Sequence, residues 1–269
     1  MIRAHFGIDK NPFSNEACEP LAHQQEILDT LKVHGQQGRF CVVMGHPGTG
    51  KSVIRDSLLK GADKRIMVAS VSRTMHTYSN TVRILCQAFG VEHAATHYKC
   101  EKNLIAEAFA LKQAGRSVLT LIDDAHLMEI DTLRRLRLLF ADFPHNNNLV
   151  LFGQPQLLAN LALGVHEDIR SLITYSVNCP RLGSDDMEAF LLGQLDRCGF
   201  PHSTFSTEAL GLIVRTADGL MRRSRNMALS CLLEAVRARK RTVDLDNVNR
   251  VLMQPHWREE RDFDAKTPN

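Results

Sequence analysis

The stretch GHPGTGKS, residues 45–52, follows the apolar run RFCVVM at 39–44 and precedes an amphipathic segment. It fits the pattern GxxxxGK[ST] and lies where a phosphate loop must lie, between a buried strand and a helix. Glycines 45, 48 and 50 let the backbone wrap a polyphosphate so that successive N–H groups point inward, and the following helix adds the positive end of its dipole. Lys51 is placed to reach β- and γ-phosphates, and Ser52 offers a hydroxyl to Mg2+. Gly45, His46, Pro47, Gly48, Thr49, Gly50, Lys51, Ser52 and Val53 are therefore the expected contacts to the cofactor.

Outward from this loop, short apolar runs alternate with amphipathic segments. RFCVVMG (39–45), RIMVASV (65–71), SVLTLID (117–123), NLVLFG (148–153) and SVNCPRL (176–182) are expected as buried strands. Between them, Val82, Leu85 and Phe89 recur at helical spacing, as do Leu104, Ala108 and Leu111 ahead of Gly115, a helix stop. That alternation predicts an α/β fold with a five-stranded parallel sheet and helices on both faces, covering residues 1–182. Beyond 183 the strand signal gives way to helical periodicity. Ser184 is a plausible N-cap for SDDMEAFLLGQL, and Leu210, Ile213, Val214 and Ala217 follow on one face before Gly219. Further helices are expected at about 222–240 and 245–253, so residues 183–254 form a small helical domain. The polar, aperiodic remainder, 255–269, is expected as a mobile tail or docking peptide.

Two carboxylates end the run VLTLIDD, where unpaired charge in an apolar setting would be costly. A phosphate loop accounts for them, because its metal needs a carboxylate at the tip of a second strand. Asp123 is that residue, and Ser52 and Asp123 form the expected Mg2+ site. Asp124, one position on, can orient and polarise an attacking water; the alternative is that it caps the next helix. His126 is in reach of this pair or is structural. Gln154, in LFGQP at the tip of the next strand, is expected beside the γ-phosphate, or else is a turn residue before Pro155.

Composition narrows the class. The 269 residues, 44% hydrophobic, support a packed core, and no apolar window is long enough to span a membrane. With no signal-peptide core, and seven cysteines that are odd in number and include no CxxC pair, the chain is expected in the cytoplasm with free thiols. His93, His97 and Cys100 are spaced like zinc ligands, but no fourth ligand is near, and a solvent-exposed connection explains them equally well; no zinc is expected. Net charge is +3, yet residues 222–241 carry seven Arg or Lys against Glu234 alone, which suits a polyanion or a solvated helix face.

With these pieces placed, the chain resembles the AAA+ ATPases, and within them the group containing the secretion ATPase ExeA and the transposition ATPases of the TniB, TnsC and MuB type. The resemblance runs over about residues 4–253 and rests on HFGIDKNPF, the phosphate loop, LIDDAHL, LFGQPQLLANL and GLMRRSRNMAL. It implies a P-loop NTPase domain followed by a helical lid, with ATP and Mg2+ as cofactors, adenine being inferred from the family. GLMR (219–222) resembles the GxxR second sensor, making Arg222 the candidate that reaches the nucleotide and Arg223 its rival. EDIRSLITYS resembles the segment carrying an inter-subunit arginine finger, with Arg170 available. Relatives have Gln-Arg where this chain has Thr174 and Tyr175, and Arg170 can equally pair with Glu167 or Asp168. Asp124 stands where most relatives carry Glu, one methylene longer, which implies either a water held closer or slow hydrolysis.

The transposition members track a DNA backbone as an oligomer. The matching positions are Arg73, Thr74, Arg134, Arg135 and Arg137, which read equally well as exposed residues on an ordinary helix. The resemblance thus implies an ATP-hydrolysing regulator that self-associates into a ring or helical filament on DNA and engages a transposase. Two alternatives are a secretion assembly ATPase acting on protein and a nucleotide-gated adaptor with little hydrolysis. ExeA-type proteins join a transmembrane segment and a wall-binding module to the ATPase, and their absence here is expected to favour transposition. Replacing Lys51 by Ala is predicted to abolish ATP binding; titration calorimetry showing retained affinity would exclude the loop assignment.

Overall fold

The computed structural model describes residues 2–7, 10–14, 19–34, 40–71, 77–145, 147–163 and 167–257, without the side chains of residues 3 and 4. Arg73, Thr74, Cys18 and all but the first three residues of the expected tail lie outside them. Five strands form one sheet: β1 (Phe40–Met44), β2 (Ile66–Val71), β3 (Ser117–Ile122), β4 (Asn147–Gly153) and β5 (Ile173–Asn178). They run parallel in the order β2-β3-β4-β1-β5. Because all are parallel, every C-terminal end lies on the same sheet edge, and β4 separates the tips of β1 and β3.

Alternation along the strands sorts the core into two layers. Val42, Met44, Val118, Ile122, Leu149 and Leu151 pack with α4 (Tyr78–Phe89), α5 (His97–Gln113), α6 (Ile130–Ala141), α7 (Gln156–Leu161) and the short α8 (Glu167–Arg170). Cys41, Val43, Leu119, Leu121, Val150 and Phe152 join Ile27, Leu28 and Leu31 of α2 (Ala22–His34) and Ile54 and Leu58 of α3 (Lys51–Lys60). Strands buried on both faces read as unbroken apolar runs, which is why β1, β3 and β4 match the expected segments closely. The fifth does not: it occupies Ile173–Asn178 rather than 176–182. As an edge strand it alternates half-buried Ile173, Tyr175 and Val177 with exposed Thr174, Ser176 and Asn178, so no continuous apolar run marks it. Its start is set from outside, where the Thr174 hydroxyl donates to the Phe40 carbonyl at 3.1 Å.

The chain divides into two compact units. The sheet and its helices, through Pro180, form one. In the other are α9 (Ser184–Asp196), α10 (Thr207–Ala217), α11 (Met221–Arg237) and α12 (Leu245–Leu252), together with the N-terminal segment, which includes the short α1 (Ile2–Phe6), and Pro47–Thr49. The N-terminal segment, expected with the α/β domain, thus belongs with the helices: Phe6 packs on Phe200 at 5.4 Å between ring centroids and Phe13 on Phe205 at 6.2 Å. Helix starts differ in how they are capped. Ser206 caps α10 by accepting the Ala209 N–H at 3.2 Å, and Asp244 and Asn247 form a capping box on α12. Ser184, expected as an N-cap, is instead the first residue of α9 after Gly183, and Asp185 and Asp186 in the first turn complement the helix dipole.

Among the described residues, no helix is long and apolar enough to cross a membrane. The six described cysteines are all free thiols. Phe152, fully buried between β3, β1 and the α2–α3 layer, tests the packing. Phe152→Ala is predicted to lower stability by about 3–5 kcal/mol in urea unfolding, the usual range for a truncated core aromatic.

Candidate functional site

The phosphate loop leaves β1 beside the tip of β4, and the Gly45 N–H donates to the Gly153 carbonyl at 3.2 Å. Gly48 and Gly50 take φ values of 94° and 91°, in the left-handed region that side chains disfavour, and Gly50 is the N-cap of α3. With no side chain at the cap, the first turn of α3 has no side-chain cap bond. Lys51 curls back over its own loop, donating from Nζ to the carbonyls of Gly45 at 2.7 Å and His46 at 3.0 Å. Thr49 is buried and Ser52 exposed. Cys179 lies near Lys51; burial pushes its thiol up to about 11, while the lysine charge pulls the other way.

At the tip of β3, the Asp123 N–H donates to the Val71 carbonyl at 2.9 Å. Its carboxylate is ion-paired with Arg55 of α3, whose guanidinium also forks onto Asp56 at 2.8 and 3.0 Å. Burial opposes the charge on Arg55, yet the hydrogen bonds and charges of Asp56 and Asp123 outweigh it and raise the pKa. Asp124 does not act as a side-chain cap for the following 3-10 turn (Ala125–Leu127). It sits at φ 51°, left-handed, with an exposed carboxylate, and its N–H donates to Asp123 Oδ1 at 2.9 Å. Gln154 lies at the β4 tip and its amide meets the His126 imidazole at 2.8 Å.

These residues fit the cofactors that the loop implies. The glycine turn and the helix start without a side-chain cap suit a polyphosphate, with Lys51 adjacent. Ser52 and Asp123 offer the hard oxygen ligands that Mg2+ takes, provided that Arg55 gives up or shares Asp123. In the helical unit, the Arg222 N–H donates to the Gly48 carbonyl at 3.3 Å. A Cβ on Gly48 would lie 2.9 Å from that of Arg222, so glycine is required there for space as well as for φ. The α11 start has no side-chain cap, no acid in its first turn, and both Arg222 and Arg223 there. Basic groups at that end oppose the dipole, so the start gains from an approaching anion.

The other candidates fall elsewhere. Arg170 donates to the Ala162 carbonyl at 3.3 Å from α8. Asp168 pairs instead with Arg134 at 3.9 Å and Arg137 at 3.6 Å. Arg135 stacks over Tyr78, its guanidinium carbon 3.9 Å from the ring centre. Burial pushes the Tyr78 phenol well up, Glu101 adds to that, and Arg135 opposes it. His93 accepts from Arg83 at 3.0 Å, while Cys100 is buried, and among the described residues no metal-binding group of His, Cys, Asp and Glu occurs.

Sheet order, loop and acidic strand tip together decide the fold. It is that of the AAA+ P-loop NTPases. Residues 33–161 match the family model of an AAA domain. The chain is similar to Cdc6p from Pyrobaculum aerophilum, with a TM-score of 0.75 and 15% identity over 97% of this chain and 75% of that one. A similar fold is seen in the Aeropyrum pernix ORC1 protein in complex with DNA, with a TM-score of 0.67, 16% identity, and 89% and 67% of the two chains covered. By sequence it is 25% identical over 232 residues to General secretion pathway protein A of Aeromonas hydrophila, covering 82% of this chain and 42% of that protein. The chain therefore spans less than half the length of that relative.

Within this AAA+ fold, Arg55 is the residue that motif reading passes over. Its signal is helical spacing: it stands three residues after Ser52 and four after Lys51, on the face that α3 turns to the site. Arg55→Met is predicted to tighten Mn2+ binding to the nucleotide-loaded protein about tenfold, since a charge-assisted bond of about 1.5–3 kcal/mol no longer competes for Asp123. Electron paramagnetic resonance of free Mn2+ measures this, and unchanged affinity would show that the pair does not compete with the metal.

Proposed function

We propose that this chain is an ATPase that binds ATP with Mg2+ at the phosphate loop and hydrolyses it slowly. The observation that carries the reading is the convergence at one sheet edge: the loop after β1, Gln154 after β4, and Asp123 with Asp124 after β3. Gly45–Val53 hold the phosphates, Lys51 turning from its own carbonyls to phosphate oxygens, while Ser52 and Asp123 hold the metal. Bound Mg2+ supplies positive charge that offsets the phosphates. Asp124 orients and polarises the attacking water, and its exposed carboxylate leaves room for that water. Gln154 contributes a polar contact at the γ-phosphate, and Arg222, at an anion-seeking helix start beside Gly48, is the second sensor. Arg170 has a carbonyl partner that a neighbouring nucleotide can displace, which keeps it as the trans-acting arginine of a ring or filament.

For the client, sequence similarity over 82% of the chain to General secretion pathway protein A supports an assembly ATPase acting on protein. A DNA-bound transposition regulator is the second reading, supported by the likeness to the DNA-complexed Aeropyrum ORC1 protein and by the basic residues of 222–241. The pairing of Arg134 and Arg137 with Asp168 counts against an open phosphate-binding face on α6. Free thiols and the need for ATP suit the cytoplasm under either reading.

Phosphate release measured with and without duplex DNA, with electron microscopy of the same mixtures, separates them. DNA-stimulated turnover with rings or filaments on duplex supports the transposition reading, and indifference to DNA supports the protein client. Asp124→Asn is predicted to keep ATP affinity within about twofold while lowering phosphate release at least about a hundredfold, as loss of a general base does. Turnover equal to wild type would remove Asp124 from the reaction.

A further inference from the structure

The left-handed backbone at Asp124 starts a 3-10 turn that folds His126 back under the tip of β4. The turn lies against the β4 tip: a Cβ on Gly153 would stand 3.5 Å from the His126 backbone nitrogen, an ordinary contact distance. The imidazole is largely buried, its side chain 10% exposed, between two groups already assigned to the reaction. On one side the Gln154 amide nitrogen lies 2.8 Å from Nε2. An amide NH2 can only donate, so Nε2 accepts and the single proton of a neutral ring is on Nδ1. On the other side Nδ1 faces Asp124 Oδ1 at 4.0 Å, buried and without a hydrogen-bond partner. A buried donor about 1 Å beyond bonding distance from a carboxylate has a reason to move.

We propose that His126 is a positioning residue that ties Gln154 to Asp124, so that the polar group at the γ-phosphate controls where the water-orienting carboxylate stands. The proposal rests on the hydrolase reading above and deepens it. While Gln154 holds Nε2, the ring is kept back from Asp124. When Gln154 turns its amide to a γ-phosphate, the ring is released and Nδ1–H closes on Asp124, fixing the carboxylate. Hydrolysis is thereby made conditional on a seated triphosphate, through one imidazole and with no proton transfer by it. The same turn joins both partners: Asp124 begins it, and His126 Nδ1 points back across it.

The test uses the full chain with His126→Phe, which has neither ring nitrogen, with His126→Asn, which keeps a donor near the position of Nδ1, and with Gln154→Ala for the spectroscopy. His126→Phe is expected to lower kcat at least about tenfold with KM for ATP within about twofold, because Asp124 then has no donor to close on it, and His126→Asn to recover part of that loss. An unchanged kcat in His126→Phe, or equal losses in the two His126 variants, overturns the link. A second readout does not depend on turnover: 15N resonances of the His126 ring, recorded with and without a non-hydrolysable ATP analogue. The wild-type ring is expected to be protonated at Nδ1 and to shift when the analogue binds, and the shift to vanish in Gln154→Ala. Bound analogue with an unmoved ring removes the link alone. A wild-type chain that shifts but releases no phosphate removes the hydrolase reading and keeps the link, whereas failure to bind the analogue at all, seen by calorimetry, removes both.

Discussion

The site depends on one hydrogen bond at the tip of two parallel strands. With β1 paired to β4 in register from Phe40 opposite Leu149 to Met44 opposite Gly153, the next donor, Gly45 N–H, lands on the Gly153 carbonyl. That contact stops the loop from drifting off the sheet and sets its first residue directly beside Gln154. Since β3 is the next strand over, Asp123 stands about 10 Å from the loop's origin, two strand spacings of roughly 4.8 Å. A one-residue slip of β4 would send Val150 and Phe152 to the wrong layer, so the register is held by the whole core and not by the tip alone.

The charged groups at this edge satisfy one another. Lys51 rests on loop carbonyls and Asp123 on Arg55, so neither a cation nor an anion is left without a partner in a half-buried place. Leaving either bare would cost several kcal/mol. Exchange is what makes the arrangement usable, because each internal partner is of the same kind as the group it gives way to: carbonyl oxygens for phosphate oxygens at Lys51, a guanidinium for a divalent cation at Asp123. Arg55 is further steadied by Asp56, so it keeps a carboxylate when it lets the other go.

How much of this was legible follows from what each signal measures. Central strands are apolar on both faces, so β1, β3 and β4 and the residues at their tips, Gly45, Asp123 and Gln154, could be read from local pattern. The edge strand β5 could not, since only Ile173, Tyr175 and Val177 are covered. Arg55 belongs to the site through a contact made across 68 residues of chain, which no motif carries, whereas His126 stands beside the carboxylates in the sequence and only its partner Gln154, 28 residues on, is beyond local reading. Helix periodicity marks α9 to α12 but does not fix a helix start to the residue: Ser184 lies inside α9, whose N-cap is Gly183 with no side-chain cap bond, and Asp185 and Asp186 in the first turn complement the dipole. The arginines of α6 show the limit of reading charge from sequence: three look alike, yet two meet Asp168 and one covers Tyr78.

The N-terminal segment, with Phe6 on Phe200 and Phe13 on Phe205, gives the molecule a particular order of assembly. His5 bonds the Lys240 carbonyl across 235 residues, whereas the sheet unit is drawn almost wholly from one uninterrupted stretch ending at Pro180. During synthesis the sheet unit can therefore collapse before the helical unit has emerged, and the N-terminal segment finds its seat only after the helices that it packs on have been made. A sheet unit that has already collapsed shortens the effective loop between the N-terminal segment and those helices, which lowers the entropy cost of closing it.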